Sequence, residues 1–253
     1  MPLQHDNPAA RFQVLLLDLH MTHPREQERQ RVTAWDAVCS LLGVQPESPA
    51  GLQVIADTVR LPEDVAVAIG AHAEDDEERD HLLESLPLAR SAMTVLSRRQ
   101  PLLQMFATFA PGGAVHMSGL VRDLASCSRV LQRASPSSVL TDDELDRLRT
   151  LISELMEQVI STSIDTDVRL LLITHLQKML EAVQRVRLGG RAAIEEELDA
   201  VIGALTRRPE GVAELRSTGL LDKIKAWADA LNAILAVGSG SAQLGQTVMR
   251  ALE

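Results

Sequence analysis

The sequence predicts an all-α protein, an irregular N-terminal helical module followed by an antiparallel C-terminal helical bundle. Three observations predict it. Apolar residues recur at intervals of three and four along most of the chain, the period that gathers them on one helix face. Cap residues, prolines and glycines punctuate these runs where helices start and stop. Hydrophobic residues make up 45% of the chain but aromatic residues only 2%, so the core has to be aliphatic.

The N-terminal module is expected over residues 1–134. Arg11 to His20 is a short apolar run around Val14-Leu15-Leu16-Leu17, read as helix because its sequel is helical. His23-Pro24 marks a turn, since proline pushes the preceding residue out of the helical region. A charged stretch, Arg25 to Arg31, leads to Thr33-Ala34-Trp35-Asp36 and the apolar Val38, Leu41 and Leu42, with Gly43 as a C-cap. Trp35 fits a core or boundary position. Ser48-Pro49 starts the next helix, because proline at the first helical position loses no hydrogen bond. Leu52, Ile55, Ala56 and Val59 follow, and Leu61-Pro62-Glu63-Asp64 is expected to restart the chain into Val65, Ala68 and Ile69.

Asp75-Asp76-Glu77-Glu78 reads as a solvated helix start. Glu77 to Leu96 is helical, with Pro87 splitting or kinking it by removing a backbone donor. Leu102 to Phe109 is a short apolar helix, Pro111-Gly112-Gly113 is a firm break, and Val115 to Arg133 is helical again. Ala134-Ser135-Pro136-Ser137-Ser138 has the polar, punctuated composition of a connector.

The C-terminal bundle is expected over residues 139–253. Thr141 with Glu144 forms a capping box, each side chain answering an unpaired N–H of the first turn. Leu145, Leu148, Ile152, Leu155 and Val159 then share one face, and Ser161-Thr162-Ser163 ends the helix. A second helix starts at Asp165 or Thr166. Its stripe is Val168, Leu172, Leu176, Met179, Val183 and Val186, widened by Leu171 and Leu180, and Gly189-Gly190 supplies the positive φ of a C-cap. In the third, Glu195-Glu196-Glu197 suits the helix dipole, and Ile194, Leu198, Val201, Ile202 and Leu205 face inward. Connections this short force antiparallel neighbours. Beyond Pro209, Leu220 to Val237 is a last long helix, Gly238-Ser239-Gly240-Ser241 a flexible link and Leu244 to Leu252 a short terminal helix. No fixed-period repeat indicates a solenoid.

Composition narrows the function. Lys plus Arg against Asp plus Glu is 25 − 35 = −10, which disfavours a general nucleic-acid binder, since that affinity rests on neutralising phosphates. Three Phe, two Trp and no Tyr leave little for base stacking or sugar shelves. Cys39 and Cys127 lie far apart outside any CxxC pattern, so reduced thiols in a cytoplasmic protein are expected. No secretory signal and no spanning apolar run is visible.

The candidate sites are weak. His20 and His23 with Glu26 approach a metal-ligand spacing, but Pro24 breaks their shared face. Glu78-x-x-His81 is a single copy of a motif that di-iron bundles use twice with two more carboxylates. No metal or other cofactor is therefore expected. His175, between Leu172 and Met179, reads as a boundary imidazole, with a pH-sensitive contact as the sharper alternative. Arg185, Arg187 and Arg191 around Gly189-Gly190 complement a helix dipole, or else hold an anion or an acidic partner beside the next helix N-terminus. Gly238-Ser239-Gly240 resembles neither a phosphate loop nor a nucleophile elbow.

Lys223, Lys225, Trp227, Leu231 and Ile234 could form an interfacial helix on a membrane. Asp222 and Asp229 spoil its basic face, so packing on the central helices is preferred. The expectation is a non-enzymatic adaptor or regulator whose partner is another protein or a second copy. A membrane-acting effector using residues 220–237 is the alternative, and a concealed enzyme the third reading.

Overall fold

A computed structural model describes residues 5–236, and among these every regular element is helical. The chain divides into two units, Met1–Ser137 and Ser138–Glu253. No helix among the described residues is long and apolar enough to cross a membrane.

The first unit holds α1 (Pro8–Thr22), α2 (Glu26–Arg31), α3 (Ala34–Leu41), α4 (Pro49–His72), α5 (Asp76–Leu82), α6 (Leu86–Ser97), α7 (Leu102–Phe109), a 3-10 turn (Val115–Met117) and α8 (Gly119–Ala134). Helix α1 starts where Asn7 accepts a hydrogen bond from the Ala10 N–H, and a largely buried Arg11–Asp6 ion pair at 2.6 Å fixes its first turn. Its inner face, Phe12, Leu15, Leu16 and Leu19, packs on α4 and α8. A two-sided backbone clasp joins the starts of α3 and α7: Ala34 N–H donates to Gln100 O and Leu102 N–H to Val32 O, both at 2.9 Å.

The second unit holds α9 (Asp142–Ser161), α10 (Thr166–Gln184), α11 (Val186–Thr206), α12 (Pro209–Ser217) and α13 (Leu220–Ala236). Thr141 and Glu144 form the expected capping box on α9, and Asp165 caps α10. Leu148, Ile152, Val159, Leu176, Met179, Val183, Ile194 and Leu198 meet in one core that also takes in Leu215, Leu220 and Leu231. Helix α10 packs on both α9 and α11, while α13 packs on α9 and α12.

Several local expectations are corrected or sharpened. Pro62 does not restart the chain: it lies inside a continuous α4. Its missing N–H leaves the Thr58 carbonyl without a helical donor, but Leu61, Pro62 and Val65 are buried and packing holds the helix through the defect. Pro87, by contrast, falls at the start of α6, where the lost donor costs nothing. Helix α8 begins at Gly119 rather than Val115, because Ser118 caps Val121 after a separate 3-10 turn. Helix α10 stops at Gln184, before the glycines; residues 186–189 make a further turn, and Gly190 with φ 67° breaks the backbone before the main body of α11. Finally, residues 209–217 form α12, a helix absent from the sequence reading. The expected elements at Gly238-Ser239-Gly240-Ser241 and Leu244 to Leu252 lie outside the described residues.

Candidate functional site

The outer face of α10 carries a candidate contact site. Asp167, Leu170, Leu171, Thr174 and His175 stand at helical spacing and line a cleft of about 440 Å³, closed on one side by Arg208 from the α11–α12 joint. This face is distinct from the buried stripe of Val168, Leu172, Leu176 and Met179. Leu170 is 63% exposed, one of few large apolar side chains in that state.

Local chemistry explains why the cleft keeps its shape. The Asp165 carboxylate accepts from the N–H groups of Asp167 and Val168, and Arg169 Nη2 donates to the carbonyls of Thr162 and Ile164. Glu214 of α12 accepts from the Asp165 N–H at 2.7 Å, tying α12 to the start of α10. The two helices approach so closely that a Cβ on Gly211 would sit 3.0 Å from Val168 Cγ2. Arg208, the residue that precedes Pro209 at the start of α12, is placed by that approach.

Groups of opposite charge line the same cleft as Leu170 and Leu171. Asp167 and Arg208 are both exposed, and no ion pair joins them or engages either with another described residue. Deeper in, His175 Nδ1 lies 3.7 Å from Glu197 Oε2 of α11, beyond hydrogen-bond length, and has no hydrogen-bond partner. The Thr174 hydroxyl donates to the Leu170 carbonyl at 2.7 Å, so it is engaged within its own helix.

The arginines around Gly190 are placed differently from one another. Arg191 is only 4% exposed and donates to the carbonyl of Leu235 and, at 3.1 Å, to that of Ser138. It joins the start of the unit to the end of α13. Arg187 is exposed, and half-buried Arg185 bonds back to the Glu181 carbonyl. On α13, Trp227, Leu231 and Ile234 are buried in the core of the unit, Lys223 is exposed and Lys225 half-buried.

The histidines of the first unit serve the fold. His20 Nδ1 accepts from Arg29 Nη2 at 2.8 Å, and the His23 ring bonds the Thr22 hydroxyl at 3.0 Å. Glu78 accepts from the Glu74 N–H, in front of α5. Among the described residues, no three or more of His, Cys, Asp and Glu are placed to share a metal ion.

One residue of the charged run Arg25 to Arg31 is not on the surface. Arg29 is 3% exposed, donates to His23 O at 2.6 Å and Pro24 O at 3.1 Å, and stacks over Phe106 at 4.8 Å. Burial, Arg29 and then His116 draw the His20 imidazole below its ordinary range, so it is held neutral as the acceptor. A second cleft beside α2 and α7, larger at about 730 Å³, is lined by Arg25, Glu26, Gln27, Gln30 and Leu103. Sequence reasoning missed both Arg29 and the α10 cleft. For Arg29 no local signal was available, because the Phe106 ring it covers lies in a distant segment of the chain; for the cleft it was Leu170 standing outside the stripe.

Comparison with protein-family models, with curated proteins and with solved structures finds no match to this chain.

Proposed function

We propose that this chain is a non-enzymatic helical protein acting in the cytoplasm by protein–protein contact, as an adaptor or regulator. In this reading its first unit is an irregular helical module and its second an antiparallel bundle, which the short connections between α9, α10 and α11 support. The observation that carries the reading is the α10 face. It brings the exposed Leu170 into one cleft with Leu171 and with the polar Asp167, Thr174, His175 and Arg208, the mixture of apolar and polar surface that contact patches carry.

The membrane alternative draws no support from α13, whose Trp227, Leu231 and Ile234 already have a protein core to cover them. The test is a photo-reactive benzoylphenylalanine placed at Leu170 in the full chain, in the cells that make it. Val67, 73% exposed in the other unit, is the control position. Protein adducts at Leu170 well above those at Val67 are expected. Equal or absent adducts at Leu170 would overturn the proposal.

A further inference from the structure

The α10 face is its own electrostatic complement. A patch of one charge sign calls for a partner of the other sign; this one sets an exposed acid, Asp167, and an exposed base, Arg208, in the same cleft as Leu170 and Leu171. Asp167 comes from the first turn of α10, where negative charge also suits the helix dipole. Arg208 comes from a different segment, the α11–α12 joint, yet lines the same cleft. Both groups are exposed, and no ion pair between them uses up either charge.

A two-fold axis is the symmetry that exploits such a pattern. In an isologous contact residue i meets residue j of the other copy while j meets i, so one surface must be complementary to itself. We propose that two copies of this chain associate through the outer faces of α10. Leu170 of each copy enters the other's cleft, and Asp167 of each copy faces Arg208 of the other. This deepens the protein–contact reading above, rests on it, and names the occupant of the patch.

Two physical effects set its strength. Burying Leu170 and the walls of the cleft supplies the non-directional drive. The paired charges fix orientation and exclude wrong partners more than they add affinity. The chain's formal net charge of −10 opposes self-association at long range. Salt at about 0.15 M reduces that repulsion to a range of roughly 8 Å, so association is expected to strengthen from low salt to that level.

The charge arrangement makes a sharp test by sedimentation velocity on the full chain across a wide concentration range. Asp167→Arg sets Arg against Arg at two symmetry-related points, and Arg208→Asp sets Asp against Asp. Each single variant should weaken self-association by about tenfold or more, a loss of roughly 1.4 kcal/mol. The double variant Asp167→Arg, Arg208→Asp re-forms both pairs with signs exchanged and should recover most of the wild-type association. Leu170→Glu should abolish it, and unchanged far-UV circular dichroism is to be checked for every variant. A wild-type chain that stays monomeric overturns the dimer. So do single variants that associate as the wild type does, or a folded double variant that fails to recover. Photo-adducts at Leu170 to a different protein, with a monomeric wild type, would end this inference and leave the contact reading standing.

Discussion

Replacing Arg29 by methionine removes every polar function of a buried cation while keeping an apolar stem of similar length. In the native structure the guanidinium bonds His23 O, Pro24 O and His20 Nδ1 and covers the Phe106 ring. The Arg29→Met variant would leave those three acceptors without their donor in a site that is 3% exposed in the wild type. An unsatisfied buried group costs about 1–3 kcal/mol, and the lost cation–π contact about 1 kcal/mol. Two effects oppose this: the variant no longer desolvates a cation, a cost of several kcal/mol, and turn carbonyls recover some water. The net expectation is a loss of about 2–4 kcal/mol from the first unit. The chain has two tryptophans, Trp35 in the first unit and Trp227 in the second. Urea unfolding followed by Trp35 fluorescence in a Trp227→Phe background therefore reads the relevant unit. Arg29→Lys, with one compact donor head, should recover only part of the loss. A shift below about 0.5 kcal/mol for Arg29→Met, the range of ordinary surface changes, would refute the account of Arg29 as the clasp between α1, α2 and α7.

Three further outcomes are expected. His20 has its pKa lowered on folding, so the unfolded chain binds the proton more readily; the stability it contributes is intact above about pH 6.5 and lost as pH falls below that. The Trp35 transition should accordingly shift to lower urea between pH 7.5 and 5.5 by more in the wild type than in His20→Gln; equal shifts would contradict the assignment. Burial pushes the Cys127 thiol up to about 12, with Asp123 adding to it, and Cys39 is raised by burial too. Both should resist iodoacetamide in the native protein at pH 8 and react on unfolding, whereas rapid native labelling would show that either thiol is accessible. Thr141→Ala removes the hydroxyl that accepts from the Glu144 N–H and should cost the second unit about 1 kcal/mol. Glu144→Ala should add little on top of it, because the two side chains act as one device. Full additivity in a double-mutant cycle would argue against the box.

Much of the helical pattern was legible because it is written in local chemistry. The stripe Leu145, Leu148, Ile152, Leu155, Val159 and its Thr141–Glu144 start need no knowledge of the rest of the chain, and they appear as read. What escaped depends on tertiary surroundings. Pro62 breaks a helix in isolation, and only the packing around Leu61 and Val65 keeps α4 whole. Nothing local marks Gly211 in α12, whose missing Cβ is what lets α12 close on Val168. Arg29 and Arg191 belong to charged stretches of sequence, yet both are buried: the carbonyls of His23 and Pro24 in the preceding turn converge on Arg29, and those of Leu235 and Ser138 from distant segments converge on Arg191. Two residues of the α10 cleft, Leu171 and His175, stand at the edge of the stripe, but their spacing alone discloses no cleft. Arg208 completes it from another segment, and no spacing along one helix discloses that.

The self-complementary face of α10 is tested most directly by a short bismaleimide cross-linker on the purified full chain carrying Leu170→Cys. Cys39 and Cys127 are buried, so the introduced thiol is the reactive one. Efficient covalent dimer formation at this position, with little from a Val67→Cys control of greater exposure, is the predicted result. Equal yields from the two positions, or monomer throughout, would contradict it.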